Sequence, residues 1–243
     1  MPIITIKNLV KDYDANGLAV HALRNVKLTV DRGEFTAIAG PSGSGKTTLL
    51  NIIGGLDNPT RGDVHVGGRD VTAMSARELS DMRLNSIGFI FQAYNLIPVL
   101  TALENVEYIL LLQGIDKVTR RNRSIRILEE VGLSKELNRK PRELSGGQQQ
   151  RVAVARAIVS EPELVLADEP TANLDQKTGS GLLDLMHELN HGKNITFIFS
   201  THDLMVMDYA ERLISLSDGM IVSDKKKKGG GNHPAKASKS KKR

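Results

Sequence analysis

The spacing of apolar residues predicts a chain that alternates between strands and helices and changes its period twice. Up to Phe91, short apolar or β-branched runs are bounded by Asp, Asn and Gly, which is typical of strands. These runs lie at residues 3–6, 26–30, 35–39, 63–66 and 87–91, with a short helix at 75–83 that begins in a capping box of Ser75 and Glu78. From Ala102 to about Ile158 the apolar residues recur every three or four positions, which predicts amphipathic helices.

After Pro162 the strand period returns, and strands predicted at 164–167, 195–199 and 213–216 alternate with helices. Strands that alternate with helices form parallel sheets. We therefore expect an α/β protein whose parallel core is preceded by a β-rich segment and interrupted by a helical insert near residues 93–155.

The composition argues against disulfide-bonded, zinc-binding and membrane-spanning proteins. The chain has 243 residues, enough to bury a sizeable core, and no cysteine, which excludes disulfides and thiolate metal sites. Its six histidines show no metal-ligand spacing, so no structural zinc is expected. No apolar run approaches the roughly 18 residues that cross a bilayer, and the N-terminus lacks a signal-peptide pattern. We expect a cytoplasmic protein unless a partner recruits it to a membrane.

The net charge of +5 comes from the end of the chain. Residues 225–243 hold eight lysines, one arginine and no acidic residue, whereas residues 1–224 hold 24 basic and 28 acidic residues. Such a basic segment with few apolar residues predicts a disordered tail at 225–243 after a folded unit at 1–224. The tail is either a solvated end or a segment attracted to anionic lipid or nucleic acid.

A phosphate-binding loop follows the strand at 35–39. Its sequence fits G-x-x-x-x-G-K-[ST] and consists of Gly40, Pro41, Ser42, Gly43, Ser44, Gly45, Lys46, Thr47 and Thr48. Glycines let backbone N–H groups point at phosphate oxygens, the lysine adds a charge for the β- and γ-phosphates, and the Thr47 hydroxyl can ligate Mg²⁺. The apolar residues after the loop predict a helix whose N-terminus also favours an anion. A nucleoside triphosphate with Mg²⁺ is the predicted ligand.

Three further strands end in polar residues. Asp168 and Glu169 follow the strand at 164–167, His202 follows the one at 195–199, and Gln92 follows the one at 87–91. Ligands of parallel α/β sheets bind at the carboxyl ends of the strands. Asp168 and Gln92 could therefore serve Mg²⁺, Glu169 could orient or deprotonate an attacking water, and His202 could donate to a phosphate oxygen.

A second glycine-rich stretch, LSGGQQQR at residues 144–151, begins another predicted helix, which Ser145 can cap. With this stretch, the ordered set of motifs resembles the ATP-binding subunits of ATP-binding-cassette (ABC) transporters over residues 2–222. The segments GFIFQAYNLIP, LTALENVE and LADEPTANLD are most similar to the branch that serves lipoprotein release, macrolide-type export and the cell-division ABC complex. The chain departs from that branch at Ala172, where glycine is common.

The resemblance implies a P-loop NTPase core, an antiparallel β subdomain and a helical insert that carries the signature. It implies that Tyr13 stacks on adenine, that residues 40–48 hold the triphosphate, and that Thr47, Gln92 and Asp168 serve Mg²⁺. Glu169 would be the catalytic base, and His202 would sense the γ-phosphate. In a homodimer around two ATP, Asp175 would link the two sites, and the ATP of the other subunit would be contacted by Ser145, Gly146, Gly147 and Gln148.

The implied function is an ATPase subunit that drives an integral-membrane permease docking near residues 92–106, at the cytoplasmic face of the membrane. Two alternatives remain open. One is an ABC ATPase that only transmits a signal through a membrane complex. The other is a soluble ABC ATPase that acts on nucleic acid or ribosomes, which suits the basic tail but not a chain of 243 residues with one phosphate loop. No specific nucleic acid is expected, and the sequence does not identify the transported substrate.

Overall fold

The structure is a computed structural model that describes residues 2–15 and 18–227. In chain order its strands are β1 (Pro2–Ala15), β2 (Leu18–Asp31), β3 (Phe35–Ala39), β4 (Arg61–Val66), β5 (Arg69–Asp70), β6 (Ile87–Ile90), β7 (Leu164–Asp168), β8 (Thr196–Thr201), β9 (Arg212–Ser217) and β10 (Met220–Lys226). Its α-helices are α1 (Lys46–Ile53), α2 (Ala76–Ser86), α3 (Ala102–Leu112), α4 (Lys117–Glu130), α5 (Gly146–Ile158), α6 (Gln176–Lys193) and α7 (Leu204–Tyr209).

The strands form two sheets. Four strands make an antiparallel sheet in the order β2-β1-β4-β5, and six make a sheet in the order β10-β9-β3-β8-β7-β6, in which only β10 is antiparallel to its neighbour. The register pairs Ala39 with Thr201 and Asp168 with Ser200. The carboxyl ends of β3, β7 and β8 therefore meet at one edge, where the sequence places its candidate polar residues.

The apolar residues of the parallel strands divide between two cores, one on each face. Along β8, Phe197 and Phe199 belong to a core shared with α3, α4, α5 and α6, while Ile198 belongs to a core shared with α1 and the antiparallel sheet. Successive side chains of a strand point to opposite faces, so a strand covered on both sides is buried at every position and is mostly apolar. All five residues of β3 are buried for this reason.

Three α-helices in the described part of the chain begin in a capping box, in which side chains satisfy backbone N–H groups that have no partner within the helix. The predicted box of Ser75 and Glu78 starts α2, and Thr101 with Glu104 starts α3 in the same way. Ser145 caps α5, and the Gln148 side chain accepts from the Ser145 N–H at 2.9 Å. The helical insert expected near residues 93–155 contains α3, α4 and most of α5.

The structure corrects the expected start of the basic tail. Strand β10 continues through Lys225 and Lys226, and the Lys227 ammonium donates to the carbonyl oxygens of Met207 and Asp208, both at 2.8 Å. Lys226 also pairs with Glu34 at 2.8 Å. Partners on neighbouring elements, which the composition of the tail does not reveal, bring these lysines into the fold. The expected disorder of residues 228–243 lies outside the described residues.

The hairpin of β1 and β2 is also longer than expected, with fourteen residues in each strand. Its outer half is mostly exposed, with Leu18 and Val20 facing solvent, so the two strands are held there by backbone pairing and not by a buried apolar face. In the described part of the chain, no helix combines the length and the apolar character that crossing a bilayer requires.

Candidate functional site

The loop of residues 40–45 joins β3 to α1 and curls over the carboxyl edge of the parallel sheet. Gly45 precedes α1 with a φ of 100°, and no side chain caps this helix. A Cβ atom on Gly45 would lie 2.5 Å from the Ala22 carbonyl oxygen, and one on Gly40 would lie 2.1 Å from that of Leu216. Only glycine fits these two positions, and the uncapped N–H groups of α1 remain available to an anion.

The lysine of the loop lies inside the loop's curve. The Lys46 ammonium donates to the carbonyl oxygens of Gly40 at 2.8 Å and Pro41 at 2.9 Å, and the side chain is largely buried. These bonds hold the Lys46 ammonium close to the uncapped N–H groups at the start of α1. The arrangement suits a phosphate group, which takes hydrogen bonds from backbone N–H groups and lysine together.

A hydroxyl and a carboxylate from different elements meet beside the loop. The Thr47 hydroxyl, at the start of α1, lies 3.2 and 3.3 Å from the two oxygens of Asp168, and the Ser200 hydroxyl also donates to Asp168. Oxygen atoms of this kind are the ligands that Mg²⁺ prefers, and the ion is bound through one or two of them together with substrate phosphates. The donor set therefore fits the predicted magnesium site.

Glu169 and His202 form a close pair next to this group. The Glu169 carboxylate lies 2.7 Å from His202 Nδ1, and its second oxygen accepts from the Thr201 hydroxyl at 3.4 Å. Glu169 adopts a φ of 47°, a conformation uncommon for residues other than glycine, directly after β7. The turn aims the carboxylate across the sheet edge toward β8. The contact between Glu169 and His202 was not predictable from the sequence, which indicated a separate role for each.

Gln92 lies in the loop after β6 and lines the same cavity, which has a volume of about 570 Å³ and is also lined by the phosphate loop, Asp168, Glu169 and His202. The Gln92 carbonyl accepts from the Asn173 side chain at 2.9 Å.

Arg156 of α5 donates to the carbonyl oxygens of Tyr94 and Asn95, which both have positive φ values. The loop that carries Gln92 is thus bonded to the helix that begins at the signature, a link that the sequence did not predict.

The signature residues Ser145 to Gln148 do not line this cavity. Gly146 and Gly147 lie instead against the turn that leads into α6. There Asp175 caps the helix by accepting from the Thr178 N–H at 3.0 Å and from its hydroxyl at 2.6 Å. These bonds lower the pKa of Asp175. A Cβ atom on Gly147 would lie 2.4 Å from the Thr178 methyl carbon, so glycine is required here for packing within the chain.

Tyr13 is on the antiparallel sheet and is 40% exposed. Its hydroxyl donates to Asp57 at 2.6 Å, and the Lys11 ammonium lies 4.6 Å from its ring centre while donating to the same carboxylate. Burial and the bond to Asp57 raise the pKa of Tyr13. These contacts fix the ring at the surface, and Tyr13 is not among the residues that line the cavity. Its stacking on adenine stays a prediction.

A protein-family model described as ABC transporter matches residues 23–172. An ABC transporter ATP-binding protein of Methanocaldococcus jannaschii is 48% identical over 220 residues, which are 90% of this chain and 98% of that protein. The lipoprotein-releasing system ATP-binding protein LolD of Alcanivorax borkumensis is 46% identical over 90% of this chain and 96% of its own length.

Two further matches extend this set. The macrolide export ATP-binding/permease protein MacB of Bartonella quintana is 44% identical over 91% of this chain, which corresponds to 34% of that longer protein. A solved structure, a dimeric ATP-binding cassette in a post-hydrolysis state bound to ADP and Pi, superimposes with a TM-score of 0.87. It is 44% identical, and the match covers 93% of this chain and 99% of the other.

Proposed function

Because the chain belongs to the ABC transporter family of ATP-binding proteins, we propose that two copies of it enclose two ATP and drive an integral-membrane permease of the lipoprotein-release or macrolide-export type. The family resemblance, the cassette fold and the ATPase chemistry expected from the sequence are confirmed. The family binds ATP with Mg²⁺ and hydrolyses it to ADP and phosphate. The roles of the individual residues and of the partners are part of the proposal.

The geometry supports a division of labour within one chain. Lys46 and the uncapped start of α1 bind and orient the β- and γ-phosphates. Thr47, Asp168 and Gln92 would hold Mg²⁺, which when bound would neutralise charge on the phosphate oxygens. Glu169 accepts a hydrogen bond from, and so orients, the attacking water. His202, held at 2.7 Å from Glu169, keeps that carboxylate in place and can donate its other ring N–H to the γ-phosphate.

The proposed dimer rests on one observation: the cavity lined by the phosphate loop and Glu169 is not lined by any residue from 145–148. The α5 N-terminus is a second place suited to phosphate, since Ser145 caps the N–H of Gln148 while the N–H groups of Gly146 and Gly147 have no partner within the helix. In the proposed dimer, Ser145, Gly146, Gly147 and Gln148 face the ATP held by the other chain. Asp175 lies between the two sites because its turn packs against the signature. Closure requires ATP, and hydrolysis lets the copies separate.

A cleft of about 510 Å³ supports the docking of a permease. It lies between the parallel core and the helical insert, and its lining is mostly apolar, with Leu56, Phe89, Phe91, Ile97, Tyr108 and Ile109 among its residues. Its rim includes Arg83 and Arg156, and the loop at 92–100 that forms one wall carries Gln92 at its start. We propose that a short cytoplasmic helix of the permease enters this cleft near residues 92–106, which would attach the protein to the membrane surface. Movement of the helix would reach Gln92 through the Arg156 bonds.

The alternative of signalling without transport uses the same ATP chemistry and the same cleft. The similarity to LolD and MacB favours transport-type partners. The alternative of nucleic-acid binding rests on the basic tail, which lies outside the described residues apart from its first three lysines. Residues 1–224 carry a net negative balance, which favours a membrane partner over a nucleic acid.

A mixing experiment tests the composite sites. Lys46→Ala removes the lysine that binds the phosphates, and Ser145→Arg places a bulky side chain in the signature. Each variant alone should therefore have little ATPase activity. In a mixed dimer the intact phosphate loop of one chain faces the intact signature of the other. We expect the mixture to hydrolyse ATP faster than the two separate variants combined. Activity no higher than that sum, with both variants folded by circular dichroism, would overturn the proposed dimer.

A further inference from the structure

Two histidines and a glutamate meet at the end of the parallel sheet opposite the nucleotide cavity. His187 and His191 are one turn apart on α6, and Glu211 directly precedes β9. The Nε2 atoms of the two histidines are 3.0 Å apart. Each also lies near Glu211 Oε1, at 3.6 Å for His187 and 3.5 Å for His191. No structural zinc was expected from the histidine spacing, but the four-residue separation of these two places both imidazoles on one helix face.

We propose that His187, His191 and Glu211 bind a divalent transition-metal ion of the Zn²⁺ type. Two imidazoles and one carboxylate are a ligand set that Zn²⁺ uses, with Zn–N and Zn–O distances of about 2.0–2.2 Å. The three ligand atoms form a triangle of suitable size. A point about 2.05 Å from all of them lies roughly 0.6 Å out of their plane, close to the ~0.7 Å of an ideal tetrahedron with such bonds.

The three side chains stand on rigid supports. The His187 ring packs edge-on against the buried Phe35 ring, with 5.3 Å between ring centres. The backbone around Glu211 is bonded on both sides: its N–H donates to the Phe35 carbonyl at 2.9 Å, and its carbonyl accepts from the Lys227 N–H at 2.7 Å. Little conformational entropy would be lost on binding an ion, because the elements that carry the ligands are already fixed.

The site is open to ions from solvent. The His191 side chain is 58% exposed and that of Glu211 is 34% exposed, whereas His187 forms the deeper ligand. A tetrahedral ion would therefore keep one position for water. Imidazole ligands favour Zn²⁺, Ni²⁺, Cu²⁺ or Co²⁺ over Mg²⁺, which prefers oxygen atoms alone. The ion would differ in chemistry from the one that accompanies ATP.

The position suggests a role in stability, not in hydrolysis. Phe35 begins β3, and the phosphate loop follows the end of the same five-residue strand, so the two sites lie at opposite ends of it. A bound ion would join the last turns of α6 to the start of β9. Because only the folded chain brings the ligands together, the ion would stabilise the fold by an amount that rises with the logarithm of its free concentration above the Kd.

The test uses the full, untagged chain without nucleotide. Zn²⁺ is titrated against a chelator of known affinity, and Co²⁺ is added as a spectroscopic probe of a tetrahedral site. We expect one Zn²⁺ per chain that Mg²⁺ does not displace, and visible Co²⁺ absorption. At a free Zn²⁺ concentration about 100 times the Kd, the melting temperature should rise by roughly 5–10 °C.

Three variants decide the assignment. His191→Gln and Glu211→Gln should each weaken Zn²⁺ binding at least about tenfold and reduce the Co²⁺ absorption, since even losing a residue that supports a ligand costs 10–100-fold. His65→Gln, which changes a histidine on β4, should bind like the natural chain. Zn²⁺ binding that persists in both ligand variants, or no Zn²⁺ binding by the natural chain, would show that the three residues form only a hydrogen-bonded cluster. ATPase activity with Mg²⁺ in His191→Gln should match the natural chain, so this outcome is independent of the proposed dimer.

Discussion

Replacing Glu169 with glutamine tests the proposed catalytic base with little change in shape. Glutamine keeps a carbonyl oxygen where Glu169 Oε1 lies, 2.7 Å from His202 Nδ1, and can still accept from it. The replacement tolerates the φ of 47° no less well than glutamate does, because the two side chains share their Cβ geometry. The fold and the ATP site should therefore survive, while the negative charge that polarises the attacking water is lost.

The expected loss follows from what the carboxylate contributes. General-base catalysis by a positioned side chain is worth about 10²–10⁴-fold in rate, or roughly 3–5 kcal/mol in the barrier. The Glu169 side chain is 14% exposed and is fixed by two hydrogen bonds, so water cannot readily replace it. We expect phosphate release at one hundredth of the natural rate or less, with ATP affinity retained. The ATP-bound dimer should accumulate and elute ahead of the monomer in size-exclusion chromatography.

Glu163→Gln is the matched control. Glu163 lies just before β7 and Glu169 just after it, but the Glu163 side chain is 51% exposed and pairs at the surface with Arg32 at 2.9 Å. This variant should hydrolyse ATP at the natural rate. If Glu169→Gln kept more than about a tenth of the activity, the assignment of the base would be wrong. If it lost activity but stayed monomeric with ATP and Mg²⁺, the dimer would be wrong and the base would stand.

Three further changes probe other parts of the structure. Lys46→Ala should abolish detectable ATP binding in calorimetry, because its ammonium is the charge inside the phosphate loop; tight binding would contradict this. Gly147→Ala should cost about 1–3 kcal/mol of stability, since its new Cβ atom overlaps Thr178, and adding Thr178→Ser should restore most of the loss in denaturant unfolding. Arg212→Met should cost about 2–4 kcal/mol of stability, because it removes the guanidinium that pairs with Asp224 and donates to the Thr29 carbonyl, although Glu34 keeps its pair with Lys226. Hydrogen bonds from Arg212 lower the pKa of Asp224, so the stability that they supply is present at neutral pH and is lost as the pH falls below about 4. The free energy of unfolding of Arg212→Met should therefore fall less steeply in acid than that of the natural chain. An unchanged acid dependence would refute the pairing.

The motif residues were predictable because their chemistry depends on local sequence. A phosphate loop needs glycines and a lysine at fixed spacing, and it was found between a strand and a helix as expected. Asp168, Glu169, His202 and Gln92 were placed at strand ends by the apolar runs before them, and a parallel sheet brings such ends to one edge. In the structure, all four of these residues line one cavity.

Contacts between distant segments could not be predicted in the same way. The pairing of Glu169 with His202 depends on the turn after β7, and the bonds of Arg156 depend on how α5 crosses the loop after β6. The predicted start of the basic tail was too early, because Lys226 pairs with Glu34 just before β3 and Lys227 donates to a carbonyl oxygen of α7. Composition alone treats such lysines as solvated charges.

The sequence by itself determined the alternation of strands and helices, the phosphate loop and the signature, since each depends on residue types at short, fixed separations. Only the tertiary structure decided that the signature lies away from the cavity of its own chain, that Gly147 packs on the Asp175 turn, and that Glu211 approaches two histidines on α6. These facts depend on where α5, α6 and β9 lie relative to the sheet. That placement is set by the burial of both faces of the sheet, to which apolar residues throughout the chain contribute together.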